Sequence, residues 1–396
     1  MGTEFSASPP VLALFQRSVF PAQNGYALRA LAWIHALRSC GTPLHVVVFS
    51  FQKDRSPAVS AERHQLESLG VVYHHRRLHR FSSALGAVWG SLRGKPLQAG
   101  VYSSPNNTRW LHQYVKKHGI STLFSSCARV GGTWLKHPTL RIILDLVDDV
   151  PAMYQTALPT MPWGVTRLFY TIEHQRLAKW DAGLRARALD TYYVFPHPGE
   201  KTRFVPNGVH QNLPLALWDC PLQEHSPLAY YFLGPTAYGP NRTAADFWHH
   251  QVLPSLPNKM HGFFIGEGMD KRYSDSPQIT HRGFVEDLST VLTYVCVCIA
   301  PMQSGGGQLN KIIEAMVSQR LVIASPLAMQ TISGVKAGET HLECTTPQEY
   351  SAALHWVERN KEAAAAIALK GARAISPIYT WDALNACALE ISLLNQ

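Results

Sequence analysis

Residues 304–316, SGGGQLNKIIEAM, lie between two apolar runs, VLTYVCVCIAP before and RLVIASP after, an order that reads as strand, glycine loop, helix, strand. Successive glycines let the backbone take positive φ and bring N–H groups close to a ligand. The helix N-terminus behind them adds unpaired N–H groups and the positive end of a dipole. Such a loop suits a phosphate, which makes Ser304, Gly305, Gly306, Gly307, Gln308 and Leu309 candidate binding groups. Lys311 supplies a point charge, and Glu314, one turn on, is placed to accept from sugar hydroxyls. The same letters also suit a plain βαβ turn with a solvated lysine and glutamate.

A chain of 396 residues exceeds what one core usually serves, so two domains of about 150 to 200 residues are expected. No apolar run approaches the roughly 18 residues of a membrane span, and the N-terminus shows no secretory pattern, so a cytoplasmic protein is expected. The seven cysteines are odd in number, scattered and free of a CxxC pair, and read as reduced thiols without disulfide or zinc. The net charge of +9 is concentrated: Val71 to Leu144 holds eleven Lys and Arg residues and no Asp or Glu. A basic face of this kind attracts an anionic membrane, a phosphorylated acceptor or a nucleic acid, or is simply solvated. No nucleic-acid-binding pattern accompanies it, so nucleic acid is set aside.

In chain order, VLALF at 11–15 is a strand, followed by a helix that starts just after Asn24-Gly25 and ends before Gly41. Arg29 on that helix is either a contact of the first domain or a surface arginine. LHVVVFS at 44–50 and GVVYHH at 70–75 are strands, and His74 and His75 lack metal-ligand spacing. The segment HRRLHRFSSALGAVWGSLRGKP suits an amphipathic helix on a membrane surface or over an acceptor. ISTLFSS at 120–126 exits into Arg129, and RIILDLVDD at 141–149 exits into Asp145, Asp148 and Asp149. Ligands of doubly wound sheets sit beyond the carboxyl ends of strands, so Arg129, Asp145 and Asp148 are acceptor-side candidates, with helix capping the equal alternative. Residues 163–188 read as a helix with Phe169, Ile172, Leu177, Trp180 and Leu184 on its buried side. TYYVF at 191–195 is a strand, RFVPNGVH holds a Pro-Asn-Gly bend, and a proline-rich linker follows, with a domain boundary near residue 211. LAYYFLGP, HGFFIGEG and ITHRGFVEDLSTVL continue the strand-and-turn pattern.

Together these stretches resemble the family 4-like glycosyltransferases of the GT-B fold found among bacterial polysaccharide sugar transferases. SGGGQLNKIIEAM is similar to the family's GGGT-x-x-K-x-x-EAM signature, and RFVPNGVH to its PNGVD turn. The resemblance implies an α/β protein of two Rossmann-like domains facing across a cleft. An acceptor-side domain would span 1–210, a nucleotide-sugar domain 211–378, and a helix at 379–396 would cross back. It further implies a sugar moved from a nucleoside diphosphate sugar to a hydroxyl acceptor in cell-surface glycan synthesis, with retention and without metal or other cofactor. The basic stretch, rather than the resemblance, adds the expectation of a lipid-linked or anionic acceptor and of peripheral contact with the inner face of an anionic membrane. Lys311 and Glu314 carry over as catalytic and ribose-holding residues, Arg242 stands in for a missing Arg and Lys pair, Phe284 and Val285 lie against the base, and Asn24 and Gly25 face the donor phosphates. Two departures stand out: Asn24 replaces a glycine, and Gly306 occupies the place of the first glutamate of an EX7E pattern. They leave open a non-catalytic partner of the same fold that binds a nucleotide sugar or glycan. An epimerase is a more distant third.

Overall fold

In the computed structural model, which describes residues 9–22, 24–209, 213–218, 228–305 and 307–395, the apolar runs are parallel strands buried on both faces. Continuous burial along VLALF and LVIA is what a strand covered by helices on either side requires. The chain forms two compact units, Met1–Pro206 with Trp381–Gln396, and Asn207–Thr380.

The first unit holds β1 (Val11–Phe15), β2 (Leu44–Ser50), β3 (Val72–Arg77), β4 (Thr122–Ser126), β5 (Arg141–Val147), β6 (Asp190–Tyr193) and β7 (Thr202–Phe204), in the order β3-β2-β1-β4-β5-β6-β7. Its helices are α1 (Gly25–Ser39), α2 (Pro57–Ser68), α3 (Arg80–Leu92), α4 (Leu97–Tyr102), α5 (Pro105–Lys117), α6 (Val150–Ala157) and α7 (Val165–Arg187). Because strand side chains alternate, Val11, Ala13 and Phe15 join one core while Leu12 and Leu14 join the other. The second unit holds β8 (Leu228–Leu233), β9 (Met260–Ile265), β10 (Ile279–Arg282), β11 (Val297–Ala300), β12 (Leu321–Ala324) and β13 (Leu342–Glu343), in the order β10-β9-β8-β11-β12-β13. Its helices are α8 (Gly239–Phe247), α9 (Met269–Arg272), α10 (Ser289–Leu292), α11 (Asn310–Val317), α12 (Pro326–Met329), α13 (Pro347–Arg359) and α14 (Lys361–Ile375). The last helix, α15 (Asp382–Leu394), returns to the first unit, where Leu384, Ala388 and Ile391 pack with Trp33, Ile34 and Leu37 of α1.

Two expectations change here. Asp145 shares the face of Ile143, which α1 covers, and is not an acceptor group: it is 1% exposed and takes a two-pronged ion pair from Arg29, Nη2 to Oδ1 at 2.7 Å and Nε to Oδ2 at 2.9 Å. Trp33 Nε1 donates to the same carboxylate at 3.2 Å, and Arg29 Nη1 donates to Val205 O at 2.9 Å, so Arg29 is a core residue. The second change concerns α7, about 35 Å long at 1.5 Å per residue. It buries Glu173, Leu177, Trp180, Asp181 and Leu184, whereas Phe169 and Ile172 are exposed: the first half of the helix meets α6 through Tyr170, whose ring stacks 4.9 Å from that of Tyr154. Asp149 takes the capping role, its Oδ1 accepting from Ala152 N at 2.9 Å at the start of α6.

Candidate functional site

The strand order of the second unit reverses between β8 and β11, and the loops leaving those two strands diverge beyond their carboxyl ends, where open sheets of this kind bind ligands. The glycine loop is the exit of β11. The exit of β8 is Gly234-Pro235, which leads into α8.

The exits of β8 and β9 approach one another closely because each begins with a glycine. Gly234 and Gly266 have φ of 152° and 151°. A Cβ on Gly234 would stand 2.3 Å from Asn241 Nδ2, and one on Gly266 would stand 2.2 Å from Gly234 O. Gly266 N also donates to Arg282 O and Gly283 O at 3.1 and 3.2 Å, which draws the β10 exit, with exposed Phe284 and half-buried Val285, to the same end of the sheet.

Lys311 lies across the reversal point. Its Nζ donates to Leu233 O, the last carbonyl of β8, at 2.7 Å and to Asn241 Oδ1 of α8 at 3.0 Å, and it stands 4.0 Å from the centroid of the Phe232 ring. Burial pulls its ammonium down from 10.5 to about 7. Glu314, one turn further along α11, is buried to the same degree, and burial pushes its carboxyl up from 4.5 to about 7. The carboxylate takes no hydrogen bond or ion pair from the described residues. Two oppositely charged groups, both displaced toward neutrality by burial at strand exits, are an arrangement typical of functional sites.

The loop itself rests on the first turn of α8. Ser304 Oγ is 3.5 Å from Thr243 Oγ1, and a Cβ on Gly305, whose φ is 117°, would lie 3.5 Å from Pro240 Cβ. Gly307 O accepts from Thr331 Oγ1 at 3.4 Å. Gly306 lies outside the described residues. Gln308 is an anchor: its Oε1 accepts from Asn207 N, and Asn207 Nδ2 donates to Asn310 Oδ1, both at 3.2 Å, tying the Pro-Asn-Gly bend to the start of α11. Leu309, the N-cap of α11, offers no side-chain cap, and of the first-turn N–H groups that of Ile312 donates to Leu309 O at 2.9 Å. Arg242 is exposed on the first turn of α8 with Nη1 3.5 Å from Thr236 O, and it has no carboxylate partner among the described residues.

The other candidates belong to the first unit. Asn24 caps α1, its Oδ1 accepting from Ala27 N at 3.1 Å, and Gly25 is the first residue of that helix, so the asparagine side chain is committed to the backbone. Arg129 is half-buried at the β4 exit, with Nε donating to Gln98 Oε1 at 2.5 Å, and Gln98 Nε2 donates onward to Tyr154 Oη at 3.2 Å. Asp148 stands half-buried at the β5 exit. Two residues at these exits, Cys127 and Val147, take positive φ of 68° and 66°, which costs energy for a non-glycine residue and tends to occur where function demands it. Asn241 and the Leu233 carbonyl were not foreseen as partners of Lys311. Their only signal is the small Gly-Pro-Asn start of α8, whose lysine partner is 70 positions away.

Residues 230–360 match the family model described as Glycosyl transferases group 1. No curated protein matches the chain. Among solved structures, a sucrose-phosphate synthase from Thermosynechococcus elongatus is 16% identical with a TM-score of 0.66, over 97% of this chain and 98% of that one. HepE from Anabaena, solved in complex with UDP, is 14% identical with a TM-score of 0.64, over 98% of this chain and 100% of its own. TarM is 9% identical with a TM-score of 0.65, over 98% and 99%. At such identities the likeness is one of fold, two Rossmann-like units of the GT-B type.

Proposed function

We propose that this chain, a glycosyltransferase of the GT-B type whose group 1 domain occupies residues 230–360, moves a sugar from a nucleoside diphosphate sugar to a hydroxyl acceptor. The reading includes retention of anomeric configuration, no metal ion, and a role in cell-surface glycan synthesis. The observation that carries it is Lys311 Nζ bonded to the last carbonyl of β8 directly behind the glycine loop of β11, with Glu314 one turn on and its carboxylate without a partner among the described residues. That HepE was solved with UDP supports a nucleoside diphosphate as the donor's leaving group.

In this reading the diphosphate lies against the loop amides and the α11 N-terminus, with Lys311 and Arg242 adding positive charge and Glu314 accepting from the ribose hydroxyls. The acceptor oxygen attacks the anomeric carbon on the face the diphosphate leaves from. The bond from that carbon to the phosphate oxygen breaks, and the acceptor's proton passes to the departing oxygen. The protein's share is electrostatic, since fixed N–H groups and cations stabilise charge that grows on the diphosphate in the transition state. In this reading Lys311, Arg242 and the loop amides carry the charge-neutralising duty that a metal ion has in other phosphate sites.

Nucleoside diphosphate should raise the melting temperature in the presence of EDTA. A ligand at a hundred times its Kd stabilises by about 2.7 kcal/mol. The affinity should also peak near neutral pH. Binding favours protonated Lys311 and ionised Glu314, both of which titrate at about 7 in the free protein. Affinity therefore falls by up to about tenfold per pH unit above the peak as Lys311 loses its proton, and by a similar factor below it as Glu314 gains one. Titration calorimetry of UDP checks both limbs, and Glu314→Gln should remove only the acid limb attributable to the protein. A strict need for a divalent ion, or a flat profile across neutral pH, would count against the reading.

A further inference from the structure

The large apolar side chains of α3 point away from the protein. Its inner face is Ser83, Gly86, Ala87 and Gly90, seated on α4 so closely that a Cβ on Gly86 would stand 2.6 Å from Gly100 O, and one on Gly100 would stand 2.7 Å from Ala87 Cα. Phe81, Leu85, Val88, Trp89 and Leu92 are left on the outer face, with Phe81 77% and Leu92 75% exposed. A helix on a water-facing surface ordinarily does the reverse. A second outward apolar run precedes and opens α7: Trp163 is 88% and Val165 86% exposed, followed by Leu168, Phe169 and Ile172. The two runs are tied together where Arg176 Nη2 donates to Ser91 O and Leu97 N donates to Glu173 Oε2, each at 3.0 Å.

The charge around this surface has one sign. Residues 71–144 contain no Asp or Glu, and from Val150 to Leu189 the only two, Glu173 and Asp181, are buried. Each apolar run carries an exposed tryptophan with an arginine stacked on it, Arg93 at 4.5 Å over Trp89 and Arg167 at 4.0 Å over Trp163, and Arg80 is exposed at the start of α3. No helix among the described residues is long and apolar enough to cross a membrane.

We propose that α3 and the first half of α7 form one docking surface that seats in the interface of an anionic bilayer. Phe81, Leu92, Val165 and the two indoles reach the acyl boundary, while Arg80, Arg93 and Arg167 stay at the level of the lipid phosphates. Indole rings and long basic side chains suit that boundary, which is apolar on one side and wet on the other. Ten exposed apolar side chains on two adjoining elements make a larger patch than scattered surface residues would. A second copy of the chain is a poorer occupant, because a two-fold contact through this face sets its arginines against their own equivalents with no carboxylate to meet them. The inference stands on the first unit alone and is independent of the donor site.

Co-sedimentation of the full chain with phosphatidylcholine vesicles, with and without phosphatidylglycerol, tests it. Binding should require phosphatidylglycerol, weaken with added salt, and shift tryptophan emission to the blue. Phe81→Ser with Trp89→Ser and Leu92→Ser should lower partitioning by about 100-fold or more, since each large apolar side chain contributes on the order of tenfold. Arg80→Ser with Arg93→Ser and Arg167→Ser keeps the apolar face and should lower it by about fivefold per arginine. The arginine variant decides the matter if the apolar variant does not fold. Equal binding to neutral and anionic vesicles, partitioning unaffected by both variants, or a dimer abolished by these substitutions in a protein that ignores vesicles would each overturn the proposal.

Discussion

Lys311→Met should lower kcat by about 100- to 1000-fold and raise KM much less, while leaving the protein at least as stable as its parent. The kinetic part follows from where the charge acts. A cation beside the diphosphate gains importance as the bond to the sugar breaks, so its loss falls on the transition state, and loss of one preformed electrostatic donor costs about that much. Glu314→Gln, by contrast, weakens acceptance from ribose hydroxyls that are bound alike before and during reaction, and should mainly raise KM. The stability part follows from burial. The Lys311 ammonium is held at about 7 in the folded protein against 10.5 ordinarily, so the unfolded chain binds the proton more tightly. Stability contributed by this residue therefore rises with pH between those two values, and at neutral pH and below the buried charge costs up to about 5 kcal/mol at 1.36 kcal/mol per unit. The hydrogen bonds lost to Leu233 O and Asn241 Oδ1 offset roughly 1 kcal/mol each. Methionine, uncharged and of similar length, should come out ahead by up to about 3 kcal/mol, which thermal melting at neutral pH would show. A lysine that weakens the fold and is required for turnover is the expected signature of a site selected for function. If the variant keeps full activity, the helix is scaffold and the donor binds elsewhere.

Asp145→Asn should destabilise the first unit by about 3 to 5 kcal/mol, because it leaves the Arg29 guanidinium buried without its counter-charge. For a unit of this size that lowers the melting temperature by roughly 6 to 20 °C. Replacing both partners, Arg29→Met with Asp145→Leu, should recover most of the loss, since a well-packed apolar pair removes two desolvated charges at once. The reading of Asp145 as an acceptor ligand predicts the opposite pattern: reduced transfer in a protein that melts as before. Calorimetric melting beside a donor-hydrolysis assay separates the two.

That ambiguity shows where the sequence stops being informative. Strands buried on both faces read as unbroken apolar runs, so VLALF, LHVVVFS, RIILD and LVIAS were legible, and the glycines of the β11 exit marked the loop above the sheet. β7, only Thr-Arg-Phe, carries no such run and was not singled out. A carboxylate at a strand end looks the same whether it faces a ligand or the core. For Asp145 the deciding fact is a partner 116 residues earlier, which no local pattern shows. Helical spacing likewise puts Phe169 and Ile172 on the stripe of Leu177 and Leu184, yet it does not say which side of the first half of α7 its neighbour α6 covers. Arg320 is a further case. It is fully buried and donates to Leu292 O, Val295 O and Pro214 O, carbonyls that lie 28, 25 and 106 positions before it. Lys311 and Glu314 were legible as residues, while the contact of Lys311 with the β8 carbonyl, which gives it its place at the reversal point, was not.

The most direct test of sugar transfer at the glycine loop is transfer itself. The purified chain, in EDTA, would be given labelled nucleoside diphosphate sugars with a hydroxyl acceptor in anionic vesicles, and the anomeric configuration of the product read by NMR. The account predicts a glycosylated acceptor of the same anomeric configuration as the donor, formed without added metal and lost in Lys311→Met. A protein that binds the nucleotide tightly but turns over no donor with any acceptor, or one whose turnover survives loss of Lys311, would contradict it.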